Sequence, residues 1–325
     1  MAGETTSTTF QDEHLRRVAE QANRIAGNIG SVILGKADVI EACVVALLAG
    51  GHLIIEDYPG VGKTLLARAL ARSVDCRFAR IQFTPDLLPS DVTGLSIYNQ
   101  KTQEFEFRPG PVFANMVLVD EINRASPKTQ SALLECMQEV QVTIDGVTHP
   151  LARPFMVIAT QNPIEYEGTF PLPEAQLDRF TMRLHLGYPS PADEARMLVE
   201  HAASEPLEDL APVASAAELD AAIEAVRGVF VEESLNRYVV SVLRHTRDDA
   251  RLALGASPRA GISLLRVAKA HAVLRGRDYV IPADIKEVAA DVLSHRVIMA
   301  ADARSGGVAA GDVIREAVDR TPVPV

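Results

Sequence analysis

The sequence predicts an α/β fold, in which a parallel sheet lies between helices, followed by an all-α domain. Short β-branched runs alternate with helical stretches up to about residue 188, and such alternation is typical of a parallel sheet layered with helices. A glycine-rich loop joins the first of these runs to a helix. Beyond Pro191 the strand signal fades and alanine, leucine and charged residues dominate, which predicts the all-α part.

Local periodicity and turn residues place the elements of the α/β part. Apolar residues at helical spacing predict helices at 11–28, 37–48, 64–73 and 127–139. Short apolar runs between turn residues predict strands at 52–56, 78–83, 116–121 and 155–160. Two inserted strand pairs are predicted, 96–99 with 104–108 and a hairpin in 141–154 that turns at Asp145 and Gly146.

The second part of the chain is predicted to be helical throughout. Its helices are expected at 191–203, 215–228, 231–247, 261–275 and 282–294. Pro282 suits the first turn of the last of them. These patterns divide the chain into a flexible tail at 1–9, an α/β core with two β-hairpin inserts at 10–188, and an all-α domain at 189–325.

Composition narrows the functional classes. The 325 residues carry 32 Lys and Arg against 43 Asp and Glu, a net charge of −11, so nucleic-acid binding is not expected, because phosphate contacts need clustered cations. The N-terminus is unlike a signal peptide, and the longest apolar run, 42–55, is too short and interrupted to span a bilayer. Three separated cysteines fit no zinc spacing and indicate a reduced, cytoplasmic protein.

The stretch IIEDYPGVGKTLL, residues 54–66, has the pattern of a phosphate-binding loop with one deviation. The pattern G-x-x-x-x-G-K-[ST] ends on Gly62, Lys63 and Thr64, but Asp57 stands where the first glycine is expected. Glycines let backbone N–H groups approach phosphates, Lys63 is expected to neutralise the β- and γ-phosphates, and Thr64 to bind Mg²⁺. Asp tolerates unusual backbone angles and can bond to its own loop, so the loop is predicted to work despite the deviation. The alternative is an ordinary glycine turn before a helix.

The run MVLVDE ends on two adjacent carboxylates, Asp120 and Glu121. Ligands of parallel α/β sheets bind at the carboxyl ends of the strands, where this pair is expected. Successive strand residues point in opposite directions. We therefore expect Asp120 to hold Mg²⁺ through water and Glu121 to orient or activate the attacking water. The alternative is a pair of solvated acids capping the next helix.

Four further polar residues are candidates for the same site. Asn162 follows the strand at 155–160, where it is expected between the loop and the acidic strand, unless it only makes an Asn-Pro turn. Arg179, Arg259 and Arg124 are candidates for a guanidinium on the γ-phosphate. The alternative for each arginine is a surface ion pair.

In their order along the chain, these motifs resemble the AAA+ ATPases and, among them, the MoxR family. The similarity covers about residues 30–290. It rests on VILGKADVIEACVVALLAGGHLIIEDYPGVGKT, RIQFTPDLLPSDVTG, EFRPGPVFANMVLVDEINRASPKTQSALLECMQE, ATQNP, GTFPLPEAQLDRF and GASPRA. The resemblance implies a P-loop NTPase core with a helical lid.

The resemblance also assigns roles to residues. It implies that Asp120 and Glu121 form Walker B, that Asn162 is sensor 1, that Arg179 is the arginine finger and that Arg259 is the sensor 2 arginine. It implies that ATP is contacted by the Walker A loop and by a segment near the adenine, through Pro59, Gly60, Val61, Gly62, Lys63, Thr64 and Leu65, and through Ile33, Leu34 and Gly35. Mg²⁺ is expected at Thr64 and Asp120.

An arginine finger acts on the neighbouring subunit, so the resemblance implies a ring of identical chains, typically a hexamer. Either Arg179 or Arg124 is expected to act in trans. The two hairpins match inserts that face the pore or a partner in related machines. The implied activity is ATP hydrolysis coupled to remodelling or maturation of protein clients, among them proteins with von Willebrand factor A-type domains.

Three other functions remain open at this point. One is a nucleotide-gated scaffold with little turnover, against which the presence of Lys63, Glu121, Asn162, Arg179 and Arg259 together argues. Another is a motor subunit like those of metal chelatases, whose inserts are similar. A DNA-linked machine is disfavoured by the acidic chain and by the lack of a DNA-binding module.

Overall fold

The computed structural model describes residues 13–58, 60–162, 169–203 and 207–324. The chain forms two compact units, Ile25–Asp220 and a second that joins Ala221–Val325 with the segment up to Arg24. The predicted tail at 1–9 lies outside the described residues. The predicted domain boundary near residue 189 stays a prediction.

The elements alternate in the first unit and are mainly helical in the second. The strands are β1 (Leu53–Glu56), β2 (Phe78–Gln82), β3 (Gly94–Asn99), β4 (Glu104–Pro109), β5 (Met116–Asp120), β6 (Gln141–Ile144), β7 (Val147–Pro150), β8 (Met156–Gln161), β9 (Met182–Leu184), β10 (Leu252–Leu254) and β11 (Ile298–Met299). The helices are α1 (Glu13–Gly30), α2 (Ala37–Leu48), α3 (Lys63–Ser73), α4 (Pro89–Thr93), α5 (Pro127–Glu139), α6 (Glu174–Leu177), α7 (Pro191–Ala203), α8 (Ala216–Arg227), α9 (Glu233–Asp248), α10 (Pro258–Leu274), α11 (Pro282–Leu293), α12 (Ala301–Ser305) and α13 (Ala310–Arg320).

A five-stranded parallel sheet forms the centre of the first unit, in the order β2-β5-β8-β1-β9. The three middle strands are almost wholly buried, as expected of parallel strands covered on both faces. Each buried aliphatic side chain contributes about 1.5–3 kcal/mol relative to exposure. The predicted parallel sheet with flanking helices is therefore confirmed.

The core on one face of the sheet joins β5 and β8 to α5. Its fully buried members include Val117, Val119, Val157, Leu133 and Phe180. The helix α5 begins after Ser126, whose hydroxyl caps the Thr129 N–H. Its packing holds the segment that follows the acidic end of β5 against the sheet.

Both inserts are antiparallel hairpins. β3 pairs with β4, and β6 pairs with β7 across a turn in which Asp145 has φ 51° and Gly146 has φ 78°. Two consecutive left-handed residues are the signature of a type I′ turn, as Asp-Gly predicts. The hairpins touch where Phe107 of β4 stacks on His149 of β7, with ring centroids 4.1 Å apart.

From Pro191 onward the chain forms the five predicted helices as α7 to α11, but it is not helical throughout. The strands β10 and β11 form an antiparallel pair, and α12 and α13 follow the last predicted helix. The pair was not predicted because two- and three-residue strands carry too little periodicity. The same reason applies to β9, which has three residues and pairs with β1.

Candidate functional site

The glycine loop between β1 and α3 supplies exposed backbone at the carboxyl end of the sheet. Gly60 has φ 84° and Gly62 has φ 96°, in the left-handed region that favours glycine. Gly62 is the N-cap of α3 and no side chain caps that helix end. The N–H groups in the first turn of a helix have no carbonyl partner within the helix itself, and such a turn suits an anion. Of the other predicted loop contacts, Val61, Thr64 and Leu65 are half-buried, and Pro59 lies outside the described residues.

Lys63 lies against the backbone of its own loop. Its ammonium donates to the carbonyl oxygens of Asp57 at 2.6 Å and of Tyr58 at 3.1 Å. The side chain thus lies over the loop rather than extending away from it. The positive charge is held where the glycine loop and the N-terminus of α3 meet.

The unexpected Asp57 is buried, with 5% of its surface exposed. Its Oδ1 accepts from the Tyr58 N–H at 2.8 Å, so the predicted bond to its own loop is confirmed. Its Oδ2 accepts from the Gly187 N–H at 2.6 Å, which sequence reasoning missed. Positive φ angles of non-glycine residues in the described ranges occur elsewhere, so the contribution of Asp57 is its carboxylate and not tolerance of an unusual backbone angle.

The two acidic residues have separate partners. Asp120 is 7% exposed, and its Oδ2 lies 2.7 Å from the Arg80 Nε. Glu121 has φ 57°, so the chain turns sharply after the strand. The Oε2 of Glu121 accepts from Gln82 and from Arg124, each at 2.8 Å.

The end of β8 lies between β1, which leads into the glycine loop, and β5, which leads into Asp120 and Glu121. Gln161 is paired with Glu56 of β1, and Ala159 with Val119 of β5. The Thr160 hydroxyl donates to the Asp120 Oδ1 at 3.2 Å and accepts from the Glu121 N–H at 3.0 Å. The next residue but one, Asn162, is buried at this edge. One strand thus connects the glycine loop to the acidic pair.

The segment 33–35, predicted near the adenine, forms the turn between α1 and α2. Ile33 is buried, Leu34 is half-buried, and Gly35 has φ 70°. A Cβ on Gly35 would meet the Asp193 carboxylate at 2.1 Å. The segment is therefore packed closely against the start of α7.

The candidate arginines lie in three different settings. Arg124 is paired with Glu121 of its own chain at 2.8 Å. Arg179 donates to the Leu134 carbonyl at 2.6 Å and lines a cavity of about 240 Å³ with residues of α5. Arg259 belongs to the second unit, where it is exposed in the first turn of α10.

Three partners of the acidic pair were not predicted: Arg80, Gln82 and Thr160. A signal existed for the first two, because Arg80 and Gln82 stand two apart in an otherwise apolar strand run and so share one face. Thr160 carried no signal, since threonine is common in buried strands.

Within the described ranges, no group of three or more His, Cys, Asp or Glu residues could hold a metal ion. None of their helices combines the length and the low polarity that crossing a membrane requires.

Comparisons with known proteins agree with this arrangement. Residues 52–182 match the family model described as ATPase family associated with various cellular activities (AAA), and residues 244–317 match the AAA lid domain. The first match begins just before β1 and ends in β9, so it covers the glycine loop and the acidic strand.

Relatives match over nearly the whole chain. The protein YeaC of Bacillus subtilis is 52% identical over 92% of this chain and 93% of its own length. The chaperone MoxR1 of Mycobacterium tuberculosis is 42% identical over 96% of this chain and 85% of its own. A crystal structure of a protein assigned as an ATPase, from Cytophaga hutchinsonii, superposes with a TM-score of 0.89 at 41% identity, covering 96% of this chain and 98% of the other. With its loop, its acidic strand and its lid matched to these proteins, the chain belongs to the MoxR family of AAA+ ATPases.

Proposed function

We propose that this chain hydrolyses ATP at the carboxyl edge of the sheet. One observation carries the proposal: a single strand, β8, separates the glycine loop from the acidic pair and hydrogen-bonds to both through Gln161 and Thr160. A phosphate chain on the loop would place its terminal group toward the acidic strand. Glu121 is then in position to orient a water, and Asn162 lies at the same edge.

The residues present fit a nucleotide with Mg²⁺. The left-handed glycines, the uncapped start of α3 and the Lys63 ammonium suit phosphates. The Thr64 hydroxyl and the Asp120 carboxylate are hard oxygen ligands, and Mg²⁺ commonly takes only one or two protein ligands beside phosphates and waters. Mg²⁺ would neutralise the charge that develops on the phosphates. Ile33, Leu34 and Gly35 are proposed beside the base.

Lys63→Ala tests nucleotide binding directly. The substitution removes the ammonium that lies on the carbonyls of Asp57 and Tyr58, so ATP affinity should fall about ten- to hundredfold, the range for losing a charge-assisted hydrogen bond. Isothermal titration with ATP and Mg²⁺ measures the change. Lys101→Ala, at an exposed position beyond β3, is the matched control. Equal affinity in wild type and Lys63→Ala would contradict the proposed site.

We further propose that the active form is a ring of identical chains, with Arg179 acting on the neighbour. Arg124 is paired with Glu121 of its own chain, which favours a role within one subunit. Arg179 instead donates to the Leu134 carbonyl of α5 and lines a cavity of about 240 Å³, where we place the phosphates of the neighbouring subunit. Arg259 is proposed as the lid arginine that responds to nucleotide.

Mixing two inactive variants tests action in trans. Arg179→Ala keeps its own loop and acidic pair, whereas Lys63→Ala keeps its arginine. Each alone should turn over little ATP, and mixed rings should recover activity, because an intact loop then faces an intact arginine. Phosphate release measured across mixing ratios reports the recovery. A mixture of Arg124→Ala with Lys63→Ala should stay inactive if Arg124 acts within its own subunit. If the mixture of Arg179→Ala with Lys63→Ala also stays inactive, action of Arg179 in trans is contradicted.

The proposed outcome of hydrolysis is remodelling of protein clients in the cytoplasm, including proteins with von Willebrand factor A-type domains. The relative named chaperone MoxR1 supports this class of function. The β3–β4 hairpin offers the surface: Phe105 is 74% exposed and Tyr98 is 49% exposed, and their rings lie 5.3 Å apart across the strands. Exposed aromatic pairs are suited to apolar client segments.

A further inference from the structure

Asp57 takes part in hydrogen bonds with four different parts of the first unit. Its N–H donates to the Gln161 carbonyl of β8 at 3.1 Å, and its carbonyl accepts from Lys63 at 2.6 Å. Its two carboxylate oxygens accept from Tyr58 and Gly187. A buried carboxylate that satisfies two N–H groups fixes both strongly, because charged acceptors make the stronger hydrogen bonds.

One peptide unit carries two of these bonds. The Asp57 carbonyl and the Tyr58 N–H belong to the same rigid plane. The Asp57 carboxylate holds the N–H end of that plane at 2.8 Å, and the Lys63 ammonium binds its carbonyl end at 2.6 Å. The carboxylate therefore sets the orientation of the group on which Lys63 lies.

The other carboxylate oxygen of Asp57, Oδ2, connects the glycine loop to the segment that follows β9. Gly187 has φ 61°, and the neighbouring Tyr188 stacks on Tyr58 with ring centroids 6.1 Å apart and planes at 15°. The Tyr188 carbonyl accepts from Lys36 at 2.8 Å. The segment is thus held between the glycine loop and the turn at residues 33–36.

We infer that Asp57 is a positioning residue for Lys63, which its carboxylate presets for phosphate by fixing the peptide 57–58 and tying it to Gly187. The inference rests on the proposed nucleotide site. A glycine at this position, which the general loop pattern carries, would supply neither bond. In this chain the Asp57 carboxylate instead fixes the Tyr58 and Gly187 N–H groups.

The first test needs no nucleotide. Hydrogen exchange resolved to single amides should show the Tyr58 and Gly187 N–H groups protected in the wild type. Asp57→Ala should expose both, and Asp57→Asn one of the two, because an amide has a single acceptor oxygen. Acylation of Lys63, normalised to Lys101 in the same sample, should be several-fold faster in Asp57→Ala. Asp145→Asn, at an exposed hairpin turn, should change nothing.

The second test measures ADP affinity with Mg²⁺ by titration calorimetry. Asp57→Ala and Asp57→Gly should both bind about ten- to hundredfold more weakly than wild type, and Asp57→Asn should fall between. If Asp57 acts through Lys63, Asp57→Ala should cost little further in a Lys63→Ala background, as coupled residues are non-additive. Circular dichroism and thermal unfolding confirm that each variant is folded.

The outcomes of these tests distinguish the proposed function from the positioning role of Asp57. If wild type binds ADP no better than Lys63→Ala, the proposed function fails, and the exchange and acylation results still decide the role of Asp57. If wild type binds ADP and Asp57→Gly binds equally well, the positioning role is overturned and the proposed function stands. Unprotected Tyr58 and Gly187 amides in the wild type, or unchanged Lys63 acylation in Asp57→Ala, would also overturn it.

Discussion

Glu121→Gln is expected to lower ATP turnover by about 10²–10⁴-fold, the usual contribution of a group that accepts or directs a proton, while ATP binding survives. The glutamine keeps an oxygen for the Gln82 and Arg124 donors that Glu121 now satisfies at 2.8 Å. It cannot accept a proton from water. Steady-state phosphate release and ATP titration on the same preparation separate the two effects.

The matched control for this change is Glu224→Gln, a neutralisation at an exposed position of α8 in the second unit. Its turnover should stay near that of the wild type. If Glu121→Gln hydrolyses ATP normally, the role of Glu121 is wrong. If the wild type also shows no turnover at concentrations that favour rings, the scaffold alternative gains support.

The same variant provides a way to find clients. ATP-bound rings that cannot hydrolyse should retain bound protein, so affinity capture with Glu121→Gln in the presence of ATP should enrich clients over the wild type. Adding Phe105→Ser should reduce that enrichment if the aromatic tip of the β3–β4 hairpin binds them. ATP binding should not change with this second substitution, because Phe105 is an exposed residue of the β3–β4 hairpin.

The largest effect on stability is expected at Asp284, in the second unit. This carboxylate is fully buried and accepts from Arg277 twice at 2.6 Å and from the Ile281 N–H at 2.8 Å, while the His271 Nδ1 lies 2.8 Å away. Asp284→Ala leaves the arginine and two further donors without their acceptor. Loss of one partner from such a buried pair costs about 3–5 kcal/mol. Chemical denaturation followed by circular dichroism measures the loss.

The pH dependence of this effect has a defined sign. Burial raises the pKa of Asp284, but hydrogen bonds from Arg277 and His271 outweigh it and hold the pKa below the ordinary 3.8. The stabilisation is therefore present above about pH 3.8 and is lost as the pH falls through the lower folded value. The stability difference between wild type and Asp284→Ala should shrink in that acid range.

Glu224→Ala is the comparison for Asp284→Ala, since Glu224 pairs with Arg227 on an exposed helix face. Exposed pairs contribute about 0–1 kcal/mol. A loss at Asp284 no larger than the loss at Glu224 would show that the buried cluster contributes little.

The sequence predicted those elements whose structure depends on a pattern of neighbouring residues. Long helices such as α5 and α9 were placed to within about two residues, because their apolar periodicity extends over several turns. The hairpin turn at Asp145 and Gly146 followed from backbone chemistry alone. Glycines and charged residues at strand ends located the loop and the acidic pair.

Contacts between distant segments were not predictable in this way. The bond from Asp57 to Gly187 joins residues 130 positions apart, and Arg80 meets Asp120 only because β2 pairs with β5. The short strand β9 gains its structure from pairing with β1 and not from its own pattern. Such features depend on the register of the sheet, which a single sequence does not state.

The stacking of Phe107 on His149 has a mechanical consequence. Each hairpin alone is joined to the rest of the unit at one end only, and isolated two-stranded hairpins are marginally stable. With the rings in contact, a load applied at the tip of the first hairpin is shared with the root of the second, which continues directly from α5. The ring contact therefore couples the two hairpins, and a displacement of one is expected to move the other as well.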